Sequence, residues 1–413
     1  MTDHSKTIEL KISDVVYRGK GLARVDGQVV FVPGVVTGET VRVRIEKKFK
    51  NYSEASLLEV CEASPLRLSH ACPRSLRPEV GSSHSMYCAG CTYQHMAYSE
   101  EFRLKQAQFA NFMERMAGVD KAVIISAIPS PSETGYRNKI VLHGGGTPEK
   151  PVLGYVAHDN KSVIDVPMCL LAQKEINELL VAVRKDRALM SSHTQGRRLT
   201  LRHTPADGSV FWSGRSAEGD AWLTEASGVG DLLVPRDSFA QINTGVAHSL
   251  VRQVVDLLKS SAPAAVIDLY CGAGLFSFAA AEAGVARIFG VDNDPSAVRA
   301  AQRNANVRNL SGCAFLARSA DAGLREVLHS VNAQETTAIV DPSRRGLEKG
   351  VVELLGAARL RRIIYVSCAP DTMARDVAHL CRAGYHVTSA QLLDMFPRTA
   401  HFESVTCLET GTK

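Results

Sequence analysis

Ala265-Val266-Ile267-Asp268-Leu269-Tyr270-Cys271-Gly272-Ala273-Gly274 is an apolar strand that runs into a glycine turn. The turn opens a helical stretch, and glycines there let the backbone approach a bound nucleoside closely. Apolar runs recur at Arg287-Ile288-Phe289-Gly290-Val291, Thr337-Ala338-Ile339-Val340 and Ile363-Ile364-Tyr365-Val366, with helical stretches between them. From Phe239 onward this alternation predicts βαβ units and a parallel sheet. The third glycine of a dinucleotide fingerprint is missing, because Ser277 and Phe278 occupy that region. A pyrophosphate therefore fits poorly, whereas an adenosyl group with a short amino-acid tail fits. Asp292, about 20 residues further on at the end of the next strand, is placed to bond ribose hydroxyls. S-adenosylmethionine is the expected ligand.

The run Arg362 to Val366 enters Ser367-Cys368-Ala369-Pro370, which sets one thiol at a strand's carboxyl end. Ligands and chemistry collect at such ends in open α/β sheets. A free cysteine is more often an inert buried residue. Two neighbours favour chemistry here: Asp341-Pro342-Ser343-Arg344 ends the preceding strand, and Asp394 to Glu403 brings carboxylates to the last one. A thiolate, a general base and a methyl donor would suffice to methylate an electron-poor pyrimidine carbon. Arg344 and Arg375 are candidates for lowering the thiol's pKa.

The 413 residues are too many for one core and suggest several domains. Hydrophobic content of 45% and charged content of 22% are those of an ordinary globular protein. No apolar run approaches the roughly 20 residues needed to cross a bilayer, and Met1 to Lys6 lacks a signal-peptide pattern, so a cytoplasmic protein is expected. Net charge of +5 is mild, so any nucleic-acid contact must be local. Arg42-Val43-Arg44-Ile45-Glu46-Lys47-Lys48-Phe49-Lys50 is one candidate, against the plainer reading of a solvated strand face. Residues 1–62 read as short strands with glycine turns, the pattern of a small OB-like barrel. Arg18-Gly19-x-Gly21-x-Ala23-Arg24 with Val29 to Pro33 resembles the TRAM domain of RNA-modifying enzymes. A helix is expected after Ser99 as its cap, ending at Gly118, and another from Gln173 to Leu189.

Ten cysteines in a reducing compartment point to metal, catalysis or burial rather than disulfides. Cys88-Ala89-Gly90-Cys91 is a Cys-x-x-Cys pair, with Cys72 upstream and Cys169 far downstream. Thiolates grip both iron–sulfur clusters and zinc, and His84 and His95 nearby leave zinc open.

Taken in order, Phe239-x-Gln241-x-Asn243, Asp268 to Gly274, Asp341-Pro342-x-Arg344, Ser367-Cys368-x-Pro370 and Asp394-Met395-Phe396-Pro397 resemble the RNA uracil-5-methyltransferase family. The resemblance is greatest to its 23S ribosomal RNA branch, which carries a TRAM domain. It implies a multidomain α/β protein: a TRAM-like OB barrel over 1–62, a central α+β iron–sulfur and RNA-contacting domain over 63–232, and a Rossmann-like methyltransferase domain over 233–413. It implies that Gln241, Tyr270, Gly272, Gly274, Asp292 and Asp341 hold S-adenosylmethionine, that Cys368 is the nucleophile and that Glu403 removes the carbon-5 proton. It further implies that Cys72, Cys88, Cys91 and Cys169 bind a four-iron, four-sulfur (4Fe-4S) cluster, and that the partner is RNA, foremost 23S rRNA, with a monomeric enzyme. Transfer RNA is the nearest alternative substrate. A cytosine or small-molecule methyltransferase and a non-catalytic RNA-binding module are the rival readings. The chain departs from the family pattern at Ala369, where Asn is usual, at Asp292, often Glu, and at Arg398, commonly His. Cys72 and Cys88 are also further apart than usual, separated by Arg74 to Tyr87.

Overall fold

The computed structural model describes residues 7–69, 71–75, 87–194, 196–214 and 222–411. Most of the segment separating Cys72 from Cys88, His84 included, and the amino-terminal Met1 to Lys6 lie outside the described residues.

The first six strands form one sheet: Thr7–Lys11, Asp14–Val16, Lys20–Val25, Gln28–Pro33, Thr40–Lys48 and Tyr52–Glu62. Their period-two pattern sets Val41, Val43 and Ile45 inward, with Leu10, Val30, Val32 and Leu57 completing the core. Val25 and Gln28 are joined by Asp26-Gly27, both at positive φ (48° and 81°). That is the two-residue turn whose twist matches a hairpin. The expected basic strip is partly neutralised: Arg42 is paired with Glu59 on the next strand and Arg44 with Glu46.

A five-stranded sheet follows, with Arg198–Thr204 and Lys139–Gly146 paired at its centre. The expected helix from Gln173 is two, Lys174–Lys185 and Arg187–Ser192, because Asp186 leaves helical geometry and caps the second by accepting from the Leu189 amide. The helix Tyr98–Ala117 starts after Ala97, not at Ser99, and ends as expected at a left-handed Gly118. Its Phe109 and Met113 pack with Tyr365, Met373 and Phe402, so this helix joins the carboxyl-terminal core rather than the five-stranded sheet.

That carboxyl-terminal unit holds seven strands: β1 (Ala265–Leu269), β2 (Arg287–Asp292), β3 (Cys313–Ala317), β4 (Thr336–Val340), β5 (Arg362–Ser367), β6 (Tyr385–Leu393) and β7 (Glu403–Thr410). Their spatial order is β3-β2-β1-β4-β5-β7-β6. The pairs from β3 through β5 are parallel, and β7 is antiparallel to both neighbours. Every residue of β1, β4 and β5 is buried, as in a parallel sheet covered by helices on both faces. The strand order reverses between β1 and β4, which opens a crevice at their carboxyl ends.

Candidate active site

Cys368 directly follows β5, and Pro370 begins the helix Pro370–Arg382 instead of merely stopping the strand. The turn between them is fixed by Ser367 Oγ, which accepts from the Ala369 amide at 3.1 Å and donates to the Ala369 carbonyl at 3.2 Å. β5 and β7 are in register to the pair Ser367–Ser404. Cys368 and Glu403 are the next residues beyond that last pair, and the Glu403 carboxylate acts on the Cys368 thiol. Glu403 is buried, and its Oε1 has no hydrogen-bond partner.

Four groups meet electrostatically here. Burial, with Glu403 and Asp341 beside it, pushes the Cys368 thiol up to about 12, while Arg344 acts against the shift. Burial and Asp341 hold the Glu403 carboxyl well above the usual carboxylate range. Asp341 is itself raised to about 7 by burial and by Asp268. The expectation that arginines lower the thiol is met by Arg344 only in part. Arg375 is turned away, donating to Asp376 at 2.8 Å and to the Arg345 carbonyl at 3.1 Å.

Cys368 and Ala369 share their crevice with Tyr17, Arg18, Thr92, Arg344, Asp371 and His401. His401 is pushed down to about 4, first by burial and then by Arg344, Lys105, Arg18 and Arg137, so a neutral imidazole faces the thiol at neutral pH. Its Nδ1 has no partner. The loop carrying it is anchored by a completely buried lysine. Lys105 donates to Glu101 at 2.7 Å, to Asp394 at 2.8 Å and to the Phe396 carbonyl at 3.2 Å. Arg398, at a left-handed φ of 66°, donates its amide to Glu101 at 2.7 Å and its guanidinium to the Met96 carbonyl at 2.8 Å. Sequence reading passed over Lys105; its only trace was the four-residue spacing from Glu101, which also suits a surface pair.

The glycine turn after β1 and the carboxyl end of β2 adjoin one another. Gly272 and Gly274 take positive φ (53° and 96°), and a side chain at Gly274 would strike Phe278 at 2.5 Å. Asp292 accepts from the Gly272 amide at 2.9 Å and the Asp294 amide at 2.8 Å, which fixes its carboxylate at the end of β2. Tyr270 is also left-handed (φ 64°), and its hydroxyl donates to Glu348. Asn243 caps the helix Thr244–Ser261 and donates to Ser130 Oγ and the Met395 carbonyl. Two residues earlier, Gln241 leaves a buried Oε1 unpartnered, whereas Phe239 is 71% exposed.

The four predicted cluster cysteines come together. Cys72, Cys88, Cys91 and Cys169 line one pocket with Gln94, Arg137 and Tyr155. Burial raises the Cys88 thiol and pushes Cys91 up to about 12, and each is raised further by Cys169. The sulfurs attract donors: Gly90 amide to Cys88 at 3.4 Å, Gln94 to Cys91 at 3.5 Å and Tyr155 hydroxyl to Cys169 at 3.7 Å. Among the described residues, no three His, Cys, Asp or Glu side chains converge to hold a single metal ion. His95 bonds the Val35 carbonyl at 3.0 Å.

Residues 233–410 match the tRNA (Uracil-5-)-methyltransferase family, and residues 2–58 match the TRAM domain. A 23S rRNA (uracil(1939)-C(5))-methyltransferase, RlmD, of Pseudomonas aeruginosa is 29% identical over 98% of this chain and 95% of its own. An uncharacterized RNA methyltransferase of Aquifex aeolicus is 29% identical over 98% and 99%. The fold is that of the Pyrococcus abyssi tRNA (uracil-54, C5)-methyltransferase solved with S-adenosyl-L-homocysteine: TM-score 0.70 and 24% identity, over 98% of this chain and 100% of that one. With its barrel, its switch-point crevice and these matches, the chain is an RNA methyltransferase whose residues 233–410 match the uracil-5-methyltransferase family.

Proposed function

We propose that this enzyme methylates carbon 5 of a uridine in 23S rRNA, using S-adenosylmethionine and a transient bond from Cys368 to the base. The observation that carries the reading is the pairing of β5 with β7, which ends one residue short of a strand-end thiol on one side and of a buried carboxyl with an unpartnered oxygen on the other. The choice of 23S rRNA over tRNA rests on the full-length relative from Pseudomonas aeruginosa and on the TRAM barrel.

The crevice fits the methyl donor: the glycine turn leaves backbone room, Asp292 is fixed beside it, and Gln241 offers a buried unpartnered oxygen. When bound, S-adenosylmethionine supplies an electrophilic methyl group. The uracil must leave its stack to reach the crevice, as base-modifying enzymes require. Cys368 Sγ, as thiolate, adds to carbon 6, and the electron pair moves to carbon 5, where the methyl group is accepted. Glu403 then takes the carbon-5 proton, the carbon 5–carbon 6 double bond reforms and Cys368 leaves as thiolate. Neutral His401 lies against this path, and Arg344 supplies positive charge beside the thiol. The domain division at about 62 and 232 assigns the barrel to RNA phosphates and the middle to the cluster.

The cysteine pocket fits a 4Fe-4S cluster by its donor set. Four thiols share it, three sulfurs already receive donors, and the Arg137 cation lies close enough to act on Cys88 and Cys91. Cys72, Cys88, Cys91 and Cys169 would hold the cluster and fix the central region against the crevice. Iron and acid-labile sulfide in anaerobically purified protein, lost in Cys88→Ser, test the assignment.

For the reaction, RNA transcribed with 5-fluorouridine is expected to form a denaturation-resistant adduct that Cys368→Ala abolishes while keeping S-adenosylmethionine binding. Glu403→Gln is expected to accumulate adduct on ordinary RNA. Methylation by Cys368→Ala at the parent rate would overturn the proposal. Mapping 5-methyluridine in rRNA and tRNA from a strain lacking the protein identifies the target.

A further inference from the structure

The amino-terminal barrel does more than sit beside the catalytic unit. Its Tyr17-Arg18-Gly19 turn reaches the crevice that holds Cys368 and His401. The turn is held from several sides. The Tyr17 ring meets Phe112 edge-on at 5.1 Å and Phe402 at 6.4 Å, and Phe402 is the residue before Glu403. Gln108 donates to the Val15 carbonyl at 3.1 Å. A side chain at Gly19 would lie 2.0 Å from Thr92 Cγ2, so the two units pack with no space to spare.

Arg18 stands at the tip of this turn. It is exposed, with a left-handed φ of 69° that a non-glycine residue adopts only at a cost. Among the described residues it makes no ion pair; its guanidinium lies 5.8 Å from the Tyr17 ring centroid. Of the other barrel arginines, Arg42 and Arg44 are paired to glutamates, and Arg24, on the strand Lys20–Val25, is not among the residues lining the crevice. An extruded nucleotide carries its phosphates to the mouth of the pocket, and a guanidinium fork matches phosphate geometry.

We infer that Arg18 grips a backbone phosphate of the extruded uridine, so that the barrel supplies one wall of the active site and a substrate-positioning residue. This rests on the reading that Cys368 attacks a uracil in that crevice. It couples barrel docking to chemistry: RNA held by the barrel alone would not be positioned over the thiol.

The test uses full-length protein and unmodified 23S rRNA transcript. Arg18→Asn keeps a residue tolerant of positive φ but removes the charge; Arg18→Lys keeps the charge. For Arg18→Asn, kcat/KM is expected to fall about tenfold or more, with S-adenosylmethionine affinity unchanged. The slope of log affinity for the transcript against log salt should drop by about 0.7–0.9, the share of one phosphate contact. Arg18→Lys should recover the slope and part of the rate. An unchanged slope in a folded Arg18→Asn protein overturns the inference, whatever the turnover. So does a loss of S-adenosylmethionine affinity, or a rate loss that Lys does not relieve. Cys368→Ala, assayed in parallel for the 5-fluorouridine adduct, judges the chemistry separately.

Discussion

Replacing Glu403 by Gln should make Cys368 more reactive, but only above a threshold pH. Both groups are pushed up by burial, and each opposes a second negative charge nearby. At the roughly 5 Å expected for cross-strand neighbours and an effective dielectric near 20, two unit charges repel by about 3 kcal/mol, or about 2 pK units. While Glu403 is protonated it exerts no such repulsion, and parent and Gln variant should alkylate alike. Once Glu403 ionises, the parent thiol is disfavoured and the variant is not. A two-unit difference gives about 100-fold more thiolate, and the lower basicity of that thiolate returns part of the gain, leaving about tenfold in rate. The assay is iodoacetamide alkylation from pH 6 to 10, read at the Cys368 peptide by mass spectrometry. The curves should coincide at low pH and diverge with the variant faster; the pH of divergence reports the Glu403 ionisation. Curves superimposed through pH 10, or a slower variant, would refute the proposed juxtaposition.

Lys105→Met should destabilise the protein by about 3–5 kcal/mol in urea denaturation, because the buried Asp394 loses its cation and the buried Glu101 keeps only Arg398. Adding Glu101→Gln and Asp394→Asn should recover part of that loss, and no recovery would contradict the charge argument. Gly19→Ala carries a left-handed penalty of about 1–2 kcal/mol plus the clash with Thr92 Cγ2, and adding Thr92→Ser should relieve only the clash, read as a partial return of Tm. Calorimetric titration of S-adenosylmethionine near pH 7, in buffers of different ionisation enthalpy, should show proton release, since a cation entering the crevice lowers Asp341 from about 7. A heat independent of buffer would dissociate donor binding from that carboxyl.

Much of this was legible in the chain because it is local. The strand–glycine turn at Gly272 and Gly274, the Asp26-Gly27 hairpin and the left-handed stop at Gly118 are each decided by neighbours within a few residues. The Cys368–Glu403 encounter was legible only through resemblance, because it depends on β7 inserting antiparallel between β5 and β6. Charge is where local reading failed. Arg42 looks like a free cation in sequence, yet its register partner on the next strand is Glu59. Glu101 and Lys105 look like a surface pair, but the helix face that carries them packs on the catalytic loop. Asp186 reads as an ordinary helical residue, and only the capped restart at Leu189 reveals the break. Arg18 stands out in the sequence only for its glycine neighbours; nothing in a six-strand barrel says which turn will meet another unit.

The electrostatics of the crevice explain why its parts come from such distant stretches. Asp268, Asp341 and Glu403 stand close at the ends of β1, β4 and β7, and burial makes full ionisation of all three unfavourable. Burial and these carboxylates favour the protonated form of the thiol beside them. Lowering that thiol requires positive charge brought in at the moment of use. Arg344 is present on the spot, and a sulfonium donor adds to it. In the proposed mechanism the same cations would stabilise the ionised Glu403, so one change of charge would prepare both the attacking sulfur and the base. The acid-rich sheet ends and the cations of the crevice are thus two halves of one device, to which the barrel adds Arg18 in the same lining as Arg344.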